Sequence, residues 1–277
     1  MSFLIHNDKL VNSSEHEILL NRGFLFGDGF FETIRIYDSM PLWLNLHEER
    51  IEMTLEKLKM KKSPFLAKSQ LSKLLWDILE ANKVDNGRLR LNVFRDSEGY
   101  YLPKSHDTSL LISAEQLSKP LYELNHDGLF MGLSEEVELP QNFMSSLKTY
   151  GRLNQVLASI EAKERGFNDL FVKNTAGNIA EATSSNVIVI HGNLAITPPM
   201  SEGAIFGVMR SVVLNNLKKL GLDHKIRPIT SGDLLHADEI WLTNSVRGIQ
   251  WVAGYKDKRF FCNLAKKMSL ILQQSVM

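Results

Sequence analysis

Lys148 stands in a short polar run of Ser, Thr, Tyr and Gly, just ahead of a stretch from Arg152 to Gly166 that reads as an amphipathic helix. A lysine amine can condense with a carbonyl and then carry a proton, provided the rest of the chain supplies the companions for that chemistry. Taken alone, Lys148 is a solvated surface lysine. His47 and Arg50 fall on one side of a second predicted helix. Asp28 and Glu32 can be drawn as a carboxylate pair for glycoside chemistry, although nothing around them lifts that pairing above chance. His47-Glu48-Glu49-Arg50 lacks the second histidine of a zinc-protease helix, and neither a GxGxxG after a strand nor a GxxxxGK[ST] occurs.

The elements that must hold these groups follow from periodicity. Leu4-Ile5 and Lys9 to Val11 predict a hairpin turning through His6-Asn7-Asp8. Gly27-Asp28-Gly29 is a turn into a strand in which Phe31, Thr33 and Arg35 alternate with Glu32, Ile34 and Ile36. Asp38-Ser39 sends that strand back toward Leu42 and Leu44. Leu46 to Met60 predicts a helix stacked through Ile51, Leu55 and Leu58. Lys68 to Asn82 predicts another, with Leu71, Leu74, Leu75, Ile78 and Leu79 as its stripe. Arg88 to Arg95 alternates strictly, and Ser109 to Ser113 is a further short strand. Gln116 to Gly128 loses all periodicity and carries Pro120 and Asn125, which marks a linker between domains 1–120 and 126–277.

The second half opens with a strand over Leu129 to Leu133. On the Arg152 helix, Leu153, Val156, Leu157 and Ile160 share one face, and Gly166 stops it. Asp169 to Lys173 and Asn186 to Ile190 are strands, the latter turning through Gly192-Asn193 into Leu194 to Ile196. Gly207 to Leu220 is a helix buried through Val208, Val212, Val213 and Leu217 and closed by Gly221. Glu239 to Thr243 is a strand, and Asn263 to Gln273 a terminal helix. Strands mixed with helices in both halves predict an α/β or α+β fold.

Composition narrows the function. The chain has 277 residues, 44% hydrophobic, enough for one large domain or two ordinary ones. Lys+Arg and Asp+Glu are equal at 32 each, which leaves no electrostatic footprint for nucleic acid or an anionic membrane. The lone Cys262 excludes an internal disulfide framework and a thiolate zinc cluster, and no metal site is expected. Met1 to Leu10 lacks the basic and apolar regions of a signal peptide, and no apolar run approaches the ~20 residues of a membrane span. A soluble, cytoplasmic protein is expected.

Four separated segments together resemble the class IV, or fold type IV, family of pyridoxal-phosphate enzymes. They are FGDGFFETIR (Phe26 to Arg35), LHEER (Leu46 to Arg50), LKTYGRLNQVLA (Leu147 to Ala158) and the block Gly177 to Pro199, continued by GVMR (Gly207 to Arg210) and ADEIWLTNSVRGI (Ala237 to Ile249). The family includes branched-chain and D-amino-acid aminotransferases and 4-amino-4-deoxychorismate lyase. The resemblance implies two α/β domains, a cofactor site at the domain interface, and a homodimer in which one subunit's first domain closes the other's site. Phe24, Phe26, Phe30 and Phe31 are interface candidates, although core roles suit most of them.

The resemblance also implies roles. Lys148 matches the Schiff-base lysine that shuttles the Cα proton. Glu181 matches the carboxylate that keeps the pyridine nitrogen protonated. Arg50 matches the arginine on the cofactor phosphate, Val208 and Met209 the turn whose backbone N–H groups cradle it, and Ser245 a hydroxyl donor to it. Thr183 to Asn186 would lie beside the ring. Thr33 matches a threonine given a catalytic part in the lyase. Arg152 stands where the aminotransferases commonly carry a tyrosine and the enteric lyase an arginine; it is either a cofactor contact or a helix-start arginine, with Tyr150 turned inward to replace the phenol. Arg35, Arg95 and Arg247 are candidates for the substrate carboxylate, with the backbone near Ser245 and Val246 as the alternative. The expected reaction is amino transfer between an amino acid and a 2-oxo acid, with aminodeoxychorismate cleavage to 4-aminobenzoate and pyruvate as the alternative. A non-catalytic cofactor-binding relative would have had no reason to keep Lys148, Glu181 and Arg50.

Overall fold

A computed structural model of the chain describes residues 3–12, 21–118 and 121–276. The chain divides into two compact units, Met1–Lys119 with Lys148–Gly151, and Pro120–Leu147 with Arg152–Met277. The short segment carrying the candidate lysine thus groups with the first unit, while both its flanks belong to the second.

The first unit runs β1 (Phe3–His6), β2 (Lys9–Asn12), α1 (Arg22–Phe26), β3 (Gly29–Tyr37), β4 (Met40–Pro41), α2 (Leu44–Lys57), α3 (Lys68–Asn82), β5 (Gly87–Arg95) and β6 (Thr108–Gln116). Its strands form one sheet in the order β2-β1-β6-β5-β3-β4. Alternation decides the faces, because successive side chains on a strand point to opposite sides. Phe30, Ile34 and Ile36 of β3, Leu89, Leu91 and Val93 of β5, and Leu110 and Ile112 of β6 form a core with α2 and the apolar stripe of α3. The opposite face sets Phe31, Thr33 and Arg35 across from Asn92, Arg90 and Arg88. The four phenylalanines near Gly27 divide cleanly. Phe30 and Phe31 are buried, whereas Phe24 and Phe26 on α1 are exposed.

The second unit comprises β7 (Leu129–Leu139), α4 (Leu153–Glu164), β8 (Asp169–Asn174), β9 (Ile179–Ala182), β10 (Asn186–His191), β11 (Leu194–Thr197), α5 (Val208–Asn216), β12 (Asp223–Ile226), α6 (Ser231–His236), β13 (Glu239–Asn244), β14 (Gly248–Tyr255), β15 (Lys258–Arg259) and α7 (Asn263–Gln274). Its strands follow the order β12-β11-β10-β13-β14-β7-β8-β9, with β15 on β14. The strands β9, β12 and β14 carried no clear periodicity and are new here. Among the described residues no helix is long and apolar enough to cross a membrane.

Helix α4 departs from expectation in one respect. Its apolar face, Leu153, Val156, Leu157 and Ile160, is between 44% and 67% exposed. The buried side is Ala158, Glu161 and Ala162. A carboxylate faces inward because β7 is irregular between Leu133 and Glu138 and presents donors that need an acceptor. Glu161 accepts from Ser134 Oγ at 2.6 Å and from the Glu135 N–H at 2.9 Å, and it pairs with Arg165.

Candidate active site

In the first unit, Glu32 points from β3 toward α2. His47 and Arg50, one helical turn apart, both reach it: His47 Nδ1 lies 2.6 Å from Oε2, and Arg50 donates through Nε at 2.7 Å and Nη2 at 2.5 Å. All three side chains are buried. Burial pushes the Glu32 carboxyl up, but the Arg50 charge and the His47 bond outweigh it and hold the group down at about 2. The same burial keeps His47 neutral by lowering its affinity for a proton, against the pull of Glu32. An ionised Glu32 accepts, so Nδ1 must carry the imidazole proton. Asp28, the other carboxylate in this stretch, is held by Arg22 at 2.8 Å and Arg95 at 3.0 Å. Neither acid is left to act as one of a glycosidase pair.

The lysine segment lies along the start of β3. The Phe31 N–H donates to the Lys148 carbonyl at 3.0 Å, the Tyr150 N–H to the Gly29 carbonyl at 3.1 Å, and Phe30 bridges Thr149. Tyr150 fills a slot that only glycine leaves open: a Cβ on Gly29 would stand 2.4 Å from its ring. Burial raises the Tyr150 phenol well above its ordinary value, so it stays protonated. Lys148 Nζ sits 4.5 Å from the centre of the Phe31 ring, and the Tyr150 ring stacks on Phe31 at 6.4 Å.

In the second unit, Glu181 on β9 is 3% exposed. Its Oε1 accepts from Gln155 Nε2 of α4 at 3.0 Å, and its Oε2 from the Ile205 N–H at 3.2 Å. The carbonyl of Ile205 accepts from Asn186 Nδ2 at 2.8 Å, so the backbone of this residue is held through both its N–H and its C=O. Gly207 follows as the N-cap of α5, with no side chain capping the helix. A Cβ at Gly207 would lie 1.8 Å from Asn186 Oδ1, which makes glycine obligatory there. The Val208 and Met209 side chains are buried while their N–H groups open the helix. Ser245 is half-buried in the β13–β14 turn, its carbonyl 3.4 Å from the Tyr122 hydroxyl. Arg152 is the N-cap residue of α4, and its guanidinium donates to the carbonyl of Leu147.

Residues 29–255 match the amino-transferase class IV family. The chain belongs to that family. It is 30% identical to the aminodeoxychorismate lyase of Bacillus subtilis over 88% of this chain and 81% of that one. It is 27% identical to a putative branched-chain-amino-acid aminotransferase of Methanocaldococcus jannaschii, covering 88% and 84%. Its fold superposes on the branched-chain aminotransferase of Thermobaculum terrenum in its PLP form with a TM-score of 0.87, at 20% identity and covering 99% and 94%. This class IV chain is therefore a pyridoxal-phosphate-dependent aminotransferase or lyase of fold type IV.

Three arginines of the class IV chain were candidates for a substrate carboxylate, and two of them are committed to the first unit. Arg35 is buried and donates to the Gly87 carbonyl at 3.3 Å and to Asn86 Oδ1 at 2.6 Å. Arg95 is buried and serves Asp28, the carbonyls of Leu58 and Lys59, and His106. Arg247 is exposed and bonded to Gln250 at 2.9 Å. The backbone alternative is also taken up, because Asn244 Oδ1 accepts the N–H groups of Val246 and Arg247 at 3.1 and 2.9 Å. Arg90 was not among these three candidates. Its guanidinium lies 3.8 Å above the Phe31 ring, in register with half-buried Thr33. Its place two residues past Arg88 on a strictly alternating strand put it on the polar face, but nothing local set it apart from Arg88, which pairs with Glu115.

Proposed function

We propose that this enzyme transfers an amino group between an amino acid and a 2-oxo acid, and that Lys148, Glu181, Arg50, Val208, Met209, Ser245 and Arg90 serve that reaction. The observation that carries the reading is the pairing of two cations on one ring. Lys148 Nζ and the Arg90 guanidinium both lie within 5 Å of the centre of Phe31. An amine-handling group and a cation able to bind a carboxylate thus both lie against one ring.

The residues fit pyridoxal phosphate. The uncapped N-terminus of α5 behind Gly207 offers free N–H groups and a positive dipole end to a phosphate. Arg50, whose Nε–Nη2 edge is held by Glu32, adds positive charge rather than a two-pronged grip. Ser245 adds a hydroxyl donor. Glu181, which accepts from the neutral Gln155 amide and Ile205 N–H, is a carboxylate suited to a protonated ring nitrogen. When bound, the cofactor supplies an electron sink for the pair left as a bond at the amino-bearing carbon breaks. Lys148 Nζ takes the proton from that carbon and delivers it to a different one, since returning it to the first would only restore the substrate. Arg90 orients the substrate through its carboxylate, and Thr33 beside it adds a hydroxyl. Arg152 supports the lysine segment through its bond to the Leu147 carbonyl.

Arg90→Leu should raise KM for the carboxylate substrate roughly tenfold to a hundredfold, the weight of a charged hydrogen bond, while leaving the visible spectrum of the bound cofactor unchanged. An unchanged KM would move the carboxylate to Arg247. The lyase reading is favoured by the Bacillus subtilis relative. Offering aminodeoxychorismate, and separately L- and D-amino acids with 2-oxoglutarate, decides between the two reactions. Conversion of the cofactor to its amine form by amino acids supports transfer; pyruvate and 4-aminobenzoate without that conversion overturn it.

The exposed apolar face of α4 supports a homodimer, since contiguous apolar surface of this kind is commonly covered by a partner; the cytoplasmic setting rests on the sequence alone. Leu157→Asp should lower the sedimentation coefficient to that of a monomer at micromolar concentration. A wild-type chain that sediments as a monomer would count against the dimer.

A further inference from the structure

Helix α4 touches the catalytic groups at two points. Arg152 at its N-cap bonds the carbonyl that precedes Lys148, and Gln155, one turn on, bonds Glu181. Gln155 belongs to no binding contact proposed above, yet its amide is spent on a carboxylate that is 3% exposed. The chemistry of the donor matters. A neutral amide orients a carboxylate and leaves its charge for another partner, whereas a lysine or arginine would neutralise it. The Ile205 N–H, which also donates to it, is neutral too, and Asn186 holds the Ile205 carbonyl.

We infer that Gln155 is a positioning residue for the cofactor ring, keeping the Glu181 carboxylate ionised and aimed at the ring nitrogen. The inference rests on the reading of Glu181 as the ring-nitrogen partner. It makes a distinction between two substitutions of similar size. Gln155→Glu would set two carboxylates within hydrogen-bond distance in a buried place, where they share a proton near neutrality and Glu181 loses charge. Gln155→Met would remove the donor without adding charge.

The test uses the full chain and added pyridoxal phosphate, and reads cofactor affinity by spectral titration between pH 6.5 and 9, each variant taken as a ratio to wild type at the same pH. Gln155→Glu should weaken binding roughly tenfold or more at the acid end and recover as the pH rises and the second carboxylate ionises. Gln155→Met should weaken it by a smaller factor that does not change with pH. Glu181→Gln is the control for the underlying reading. If Glu181→Gln leaves affinity and visible spectrum unchanged, the role of Glu181 fails. If Glu181→Gln weakens binding but both Gln155 variants match wild type, the inference about Gln155 is overturned. An equal, pH-independent loss in both Gln155 variants overturns it as well, because lost packing alone would do that. Should Gln155→Glu not fold, unchanged affinity in Gln155→Met is sufficient to overturn it.

Discussion

Lys148→Ala is expected to abolish the borohydride-reducible visible band of the bound cofactor and to cut turnover by roughly 10²- to 10⁴-fold, the range for a group that moves a proton in the transition state. The fold should survive the change. The lysine segment is tied to β3 through backbone groups, the Lys148 carbonyl to Phe31 and the Tyr150 N–H to Gly29, which alanine leaves in place. Tyr150 likewise keeps its slot against Gly29. Far-UV circular dichroism and the melting temperature should therefore match wild type while the absorbance is lost. A retained band that borohydride still bleaches would show that another amine holds the cofactor.

The second large effect concerns stability. Glu32→Ala is expected to destabilise the fold by about 3–5 kcal/mol, because it strands the Arg50 charge in a buried place. The pH dependence follows with a definite sign. The Glu32 carboxyl is held down from an ordinary 4.5 to about 2 in the folded chain. Its contribution, on the order of 3 kcal/mol by linkage, is therefore present above pH 4.5 and is lost as pH falls toward 2. His47 acts in the same direction. Its folded form resists protonation, so the unfolded chain binds the extra proton and stability begins to fall once pH drops below the ordinary 6.5. Urea denaturation across pH 3 to 8 should thus show a decline that begins near 6.5 and steepens below 4.5. His47→Asn, which preserves a donor toward Glu32, should remove the first limb and leave the second. A flat profile from 4 to 8 in the wild type would refute the account.

Much of the architecture was legible because it is written in local spacing. The apolar stripe of α3 named its own helix, Lys68–Asn82, and its buried residues. The alternation around Phe31 and Leu91 named β3 and β5 and divided their residues into two faces. His47 and Arg50 could be set on one side of a helix from their separation, and they do meet the same carboxylate. The short strand of Glu181 was not legible. Four residues among turn formers carry too little period to be told from a loop, and β9 exists because β8 offers it a pairing edge.

What spacing determined, then, was which residues share a face and which segments are helix or strand, since those follow from the geometry of a single element. What a face meets was decided only by tertiary structure. Arg35, Arg90 and Arg95 are alike in the sequence, each on an alternating strand, yet Arg35 and Arg95 are committed to internal carbonyls and acids while Arg90 lies over the Phe31 ring and donates to Asn92 on its own strand. The apolar stripe of α4 was correctly grouped, but it faces outward and Glu161 faces in, because the irregular β7 strand presents N–H groups that need a carboxylate. Burial and partnership depend on residues far along the chain, and no local period records them.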